Sequence, residues 1–186
     1  GVLDGGARWD ISYTHGHNDY HFYVNNSLNT SLGLATPTSF DSGATRNTQQ
    51  ILNADFSKKI GRHTVAGGYE FRQEHYRIIK GDAASYMLGS ADNFAYGAQG
   101  FPGFSPENAV SASRQAHSLY GDLKYSATER LMLDAAARAE HYSDFGSALN
   151  GKLALRYRAT DDLLFRSSVS TGFRAPSLSQ SHFSYT

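Results

Sequence analysis

The chain of 186 residues contains no cysteine, which removes any thiol nucleophile and by itself fits many cellular compartments. It has no excess of either charge sign, 17 basic residues facing 17 acidic ones, and that balance argues against a nucleic-acid partner. No apolar run approaches the roughly 20 residues a transmembrane helix needs. The opening "GVLDGG" lacks the charged and apolar regions of a signal peptide. Gly-x-Ser-x-Gly elbows and phosphate-binding glycine loops are missing as well, so no enzymatic activity is expected. Aromatic residues, by contrast, are plentiful: twelve tyrosines and eleven phenylalanines are too many for a disordered chain. Such a protein is either soluble or meets a membrane as strands, whose signal per segment is weak.

The residues that are present alternate. In "HSLYGDLKYS" Leu119, Leu123 and Tyr125 share one face, and Ser118, Tyr120, Asp122 and Lys124 take the other, a period of two that predicts a strand. "LMLDAAARAEHY" sets Leu131, Leu133, Ala135, Ala137 and Ala139 against Asp134, Arg138 and Glu140; its alanines alone would permit a helix. "GKLALRYRA" gives Leu153, Leu155 and Tyr157 against Lys152, Arg156 and Arg158, and "LLFRSSVSTGF" gives Phe165 and Val169 against Arg166, Ser168 and Ser170. Upstream, Val65, Tyr69 and Phe71 oppose Glu70, Arg72 and Glu74, and Leu52, Ala54 and Phe56 oppose Asn53 and Asp55. Near the start, Trp9, Ile11 and Tyr13 oppose Arg8, Asp10 and Ser12; there "HGHND" either continues one long strand over residues 7–27, the preferred reading, or splits it into a hairpin. About seven amphipathic strands result.

Their connections alternate too. "KKIGRH", "SATER" and "RATDD" are tight polar turns, whereas residues 28–47 and 79–113 are long and "YSDFGSAL" is intermediate. Loops beyond about 12 to 15 residues are unusual in compact domains, while short turns at one end and long loops at the other mark an outer-membrane barrel. A soluble β-sandwich carrying its charged faces outward would show the same periodicity. Bacterial single-chain barrels close with an even number of strands, at least about eight. Seven strands without a leader therefore suggest an internal piece of a longer chain, with two open edges.

"STGFRAPSLSQ", residues 170–180, resembles a segment of TonB-dependent outer-membrane receptors, in which a strand ends in "TGFRAPS" and passes into an outer loop. "YSDFGSALNGKLALRYRATDDLLFRSSVSTGFRAPSLSQ", residues 142–180, is similar to that family's strand, outer loop, strand, inner turn and strand. "WDISYTHGHNDYHFYVNNSLNTSLG" and "GAQGFPGFSP" resemble its barrel segments and loops, and Gly151 stands where the family often has proline. The resemblance implies an all-β, antiparallel up-and-down transmembrane barrel segment of the 22-stranded type, located in the outer membrane of a Gram-negative bacterium and touching its lipid. Residues 1–186 would be part of the barrel domain, with the plug domain not present. Function would be active import of a scarce nutrient, above all an iron-siderophore complex, driven by the TonB complex through the absent plug region. No cofactor is implied. A passive pore or adhesin-like barrel and a soluble carbohydrate-binding sandwich are the alternatives.

Ligand contact is expected first from loop 79–113, where Tyr86, Phe94, Tyr96, Phe101 and Phe104 offer flat apolar surfaces among glycines and small polar residues; they could equally pack the loop on itself. Arg174 in "TGFRAPS" would stand at the lumen mouth, able to pair with an anionic group. His15, His17 and His21 in "HGHNDYH" lie on one strand face with Asp19 and are weak candidates for a transition metal. Glu70, Glu74, Asp134 and Glu140 are simplest as wall charges paired with Arg72 and Arg138, not as a glycosidase pair.

Overall fold

A computed structural model describes residues 1–91 and 95–184. Seven strands follow in chain order: β1 (Arg8–Asn25), β2 (Ser39–Ile60), β3 (His63–Ile79), β4 (Val110–Ser126), β5 (Leu131–Tyr142), β6 (Gly146–Arg158) and β7 (Leu164–Ser170). They form one sheet in the order β1-β2-β3-β4-β5-β6-β7, so each strand lies beside its neighbour in sequence. Two short helices, α1 (Ala83–Tyr86) and α2 (Leu178–His182), and a 3-10 segment at Thr30–Ala35 occupy the connections. No described helix is long and apolar enough to cross a membrane.

The strand boundaries differ from the periodicity in informative places. Residues 8–25 are one uninterrupted strand, so Gly16 neither turns nor splits it. β2 begins at Ser39, well before the apolar alternation of Leu52, Ala54 and Phe56, which shortens the expected loop 28–47 to residues 26–38. The long loop after β3 runs over residues 80–109. "YSDFGSAL" is not an intermediate loop: β5 and β6 are joined by residues 143–145, with Gly146 (φ 91) taking the left-handed conformation that closes the turn.

The chain divides into two compact units. The first comprises residues 1–14, 50–73 and 114–175. Its antiparallel registers line up side chains of one kind. Across β4 to β7, Leu123 faces Ala135, Ala135 faces Leu153 and Leu153 faces Val169, an unbroken apolar row over four strands. The next row joins Tyr125, Leu133 and Leu155. On the opposite face the same registers set Tyr120 against Arg138, Arg138 against Asn150 and Lys124 against Asp134.

A soluble sheet would bury the first face and expose the second. Here the apolar side is the open one: Leu119 is 64% exposed, Leu153 62% and Val169 68%, while the side chain of Glu140 is only 10% exposed. Contiguous apolar surface of this extent is foreign to soluble monomers and natural to a sheet whose outer solvent is lipid.

The second unit, residues 15–49, 74–113 and 176–184, is built differently. Tyr76, Ile78, Phe104 and Leu178 form a buried apolar cluster, flanked by Phe22, Phe101, Val110 and Ala112.

Candidate functional site

In the second unit the connections 26–38 and 80–109 are tied together by buried polar groups. Asn29 is fully buried, and its side-chain amide donates to the carbonyls of Ala84 and Met87, both at 2.9 Å. Its Oδ1 accepts from the backbone N–H of Ser31 at 3.2 Å and the Ser31 hydroxyl at 2.6 Å, and that hydroxyl accepts in turn from the N–H of Gly89 at 2.8 Å. Ser85, also buried, donates from Oγ to the carbonyl of Asp82 at 2.6 Å, while its own carbonyl receives the N–H groups of Ala98 and Gly103. Gly103 is required by this closeness, since a Cβ there would sit 1.9 Å from Ser85 Oγ. Buried and satisfied networks of this kind fix one conformation.

Against this frame the aromatic candidates separate. Phe104 is 1% exposed, its ring meeting Phe22, Phe101 and Phe183 edge-on at centroid distances of 5.8, 5.6 and 6.2 Å. Its ring packs the loop against β1 and the α2 segment. Phe101 is half-buried beside it, tilted on Phe22 at 5.1 Å. Tyr86 is half-buried and Tyr96 is 51% exposed, so among the described aromatics of this loop Tyr96 is the most open. Phe94 lies outside the described residues.

The "TGFRAPS" segment follows β7 as extended chain and enters α2 through a capping box: the Ser177 hydroxyl accepts from the Gln180 N–H at 3.2 Å, and the Gln180 side chain accepts from the Ser177 N–H at 2.9 Å. Arg174, in the stretch before it, is exposed. Nothing in the sequence beyond Ser177-x-x-Gln180 announces this helix.

The histidines are exposed on β1. His17 Nδ1 lies 3.2 Å from Thr48 Oγ1, and His21 Nε2 lies 2.8 Å from Asp41 Oδ1 with its ring stacked on Tyr23 at 4.4 Å. Asp19 accepts from Arg46 Nε at 2.8 Å. Among the described residues no three His, Asp or Glu side chains group as metal ligands.

The charged face of the first unit holds a chain of ion pairs. Glu70 accepts from Arg72 at 2.8 Å and from Arg138 at 3.2 Å, and Arg138 Nε donates to Glu140 at 2.9 Å. The Tyr120 hydroxyl donates to Asp55 at 2.6 Å. Sequence periodicity places these groups on one face, but the Tyr120–Asp55 contact joins residues 65 apart and leaves no local signal. Replacing Arg138 with alanine is expected to destabilise the complete receptor by about 1–3 kcal/mol, because the two poorly exposed carboxylates lose a shared donor. Denaturant unfolding in lipid vesicles checks this, and the double variant Arg138→Ala with Glu140→Gln should recover part of the loss.

A sheet with lipid-type side chains on one face and ion pairs on the other is the wall of a transmembrane β-barrel. The β-barrel model of the TonB dependent receptor-like family matches residues 3–185, essentially the whole described chain. The chain belongs to this family of TonB-dependent receptor barrels, and its place is the Gram-negative outer membrane. No curated protein and no solved structure gives a significant match. The ion-paired face accordingly lines the barrel lumen and the apolar face meets lipid. Family membership sets aside the soluble sandwich, in keeping with the exposed apolar side of the sheet that the described residues form. Membership also favours TonB-dependent transport over a passive pore or adhesin.

Proposed function

We propose that the chain is a segment of the wall and outer loops of a 22-stranded-type receptor, which imports an iron-siderophore complex across the outer membrane. A plug domain and the segment that engages TonB are assigned to other parts of the complete receptor. The carrying observation is the loop 80–109: a frame of buried hydrogen bonds holds it while Tyr96 stands half in solvent. An aromatic ring presented beside this hydrogen-bonded frame suits a ligand with flat, partly apolar groups. Arg174, exposed beyond β7 in the first unit, is a separate cation able to pair with an anionic group.

The test is uptake of radioactive iron from ferric siderophores by a strain lacking the receptor gene and complemented with it. Uptake should require both the gene and TonB. Tyr96→Ala should raise the apparent Kd about five- to tenfold, corresponding to about 1–1.4 kcal/mol of lost contact. A strain that takes up every ferric siderophore normally without the gene, yet loses growth on vitamin B12 or a sugar, would replace the siderophore with that nutrient.

A further inference from the structure

β6 and β7 place Arg156 and Arg166 directly opposite each other on the lumen face. Facing side chains of an antiparallel pair have Cβ atoms about 5 Å apart, and like charges in that position repel. Neither guanidinium has an ion-pair partner among the described residues. Lys152, four residues before Arg156 on the same face of β6, adds a third cation to the same recess of about 320 Å³. The single carboxylate lining that recess is Asp134, and its Oδ2 lies 3.8 Å from Lys152 Nζ. Ser168 supplies a hydroxyl, and Met132 and Ala154 supply apolar walls.

Elsewhere on this face Arg72 and Arg138 are matched by Glu70 and Glu140. An unmatched, directly opposed arginine pair is a standing cost unless an oxyanion sits between the two forks. Two guanidinium groups can each donate two parallel hydrogen bonds to such a group.

We propose that Arg156 and Arg166 form an anion site on the lumen wall that takes a carboxylate or phosphate group. The group arrives either free in solution, as part of a passing solute, or as an acidic side chain of the receptor's own lumen-filling segment. Both sources share the same chemistry at the two guanidinium groups. This site is independent of the nutrient imported and does not rest on the siderophore reading.

The complete receptor in detergent, wild type and with Arg156→Gln plus Arg166→Gln, is melted in sodium chloride and in sodium phosphate of equal ionic strength. Arg158→Gln, whose partner across β6 and β7 is Leu164, serves as reference. If a free oxyanion fills the site, phosphate raises the wild-type Tm by about 2 °C or more and the double variant loses that shift. An acidic side chain of the receptor itself lowers the double variant's Tm below both wild type and reference already in chloride. A double variant at least as stable as the reference in chloride, with the phosphate shift either absent from wild type or retained in the variant, reports simple relief of repulsion and overturns the proposal.

Discussion

Replacing Leu153 with arginine is expected to abolish assembly of the receptor, or to cost about 2–4 kcal/mol if Leu153 lies near the bilayer midplane. The size of the effect sets it apart from what a soluble protein would show. Leu153 is 62% exposed, and an exposed leucine on a water-facing sheet can become arginine with an effect within about 0.5 kcal/mol. Here its neighbours in the row, Ala135 on β5 and Val169 on β7, are apolar as well, so no carboxylate is at hand to receive the charge. The matched control is Ala154→Arg, one position along the same strand and on the lumen face, where Asp134 is its partner in register. Heat-modifiable migration of receptor from isolated outer membranes measures the folded fraction. Leu153→Arg should lose the folded band, and Ala154→Arg should keep it.

The second large effect is expected at Phe104. Truncating a fully buried phenylalanine to alanine costs about 3–5 kcal/mol. The loss falls on the cluster of Tyr76, Ile78 and Leu178 and on three edge-on ring contacts. The ladder registers of β4 to β7 contain no residue of this cluster, so Phe104→Ala should leave the barrel assembled and loosen the loop 80–109. Limited proteolysis of the assembled receptor should then cut within this loop, and ligand affinity should fall by an order of magnitude or more. Tyr96→Ala gives the useful contrast: reduced affinity with an uncut loop. Unchanged protection in Phe104→Ala would show that Asn29, Ser31 and Ser85 hold the loop without the aromatic cluster.

The same two positions show where the sequence is legible. Leu153 announces itself, because a strand between lipid and an ion-paired lumen must alternate, and period two is the signal that survives in a single sequence. That signal stops where the need for it stops. Residues 39–49, "SFDSGATRNTQ", are as much strand as residues 50–60, but Arg46 and Thr48 there pair with Asp19 and His17 and carry no apolar alternation. The β2 start was therefore invisible, and the β4 start at Val110 is blurred by "VSASRQ" for a similar reason. Gly16 is ambiguous in sequence because glycine serves turns, bulges and strands alike; in β1 its φ is ordinary and a Cβ would meet only Gln49 at 4.0 Å.

Phe104 and Tyr96 look equivalent in a stretch of glycine, serine and proline. Their separation into a buried anchor and an exposed ring depends on Phe22 and Leu178, which lie more than 70 residues away along the chain on either side. Arg156 and Arg166 likewise read as two ordinary lumen charges until the register sets them face to face.

The central claim is the orientation of the sheet, apolar face to lipid and charged face to lumen. It is tested most directly by spin labels placed singly at positions 151 to 157 of β6 in the complete receptor reconstituted in lipid, starting from a background without other reactive cysteines. This chain contributes none. Odd positions, Leu153 and Leu155 among them, should collide preferentially with molecular oxygen dissolved in the bilayer. Even positions, Lys152, Ala154 and Arg156, should collide with a water-soluble nickel chelate. Alternation with period two in that phase is the expected result. Reversed phase, or chelate access to both sets, would contradict the assignment of this sheet to the wall of an outer-membrane barrel.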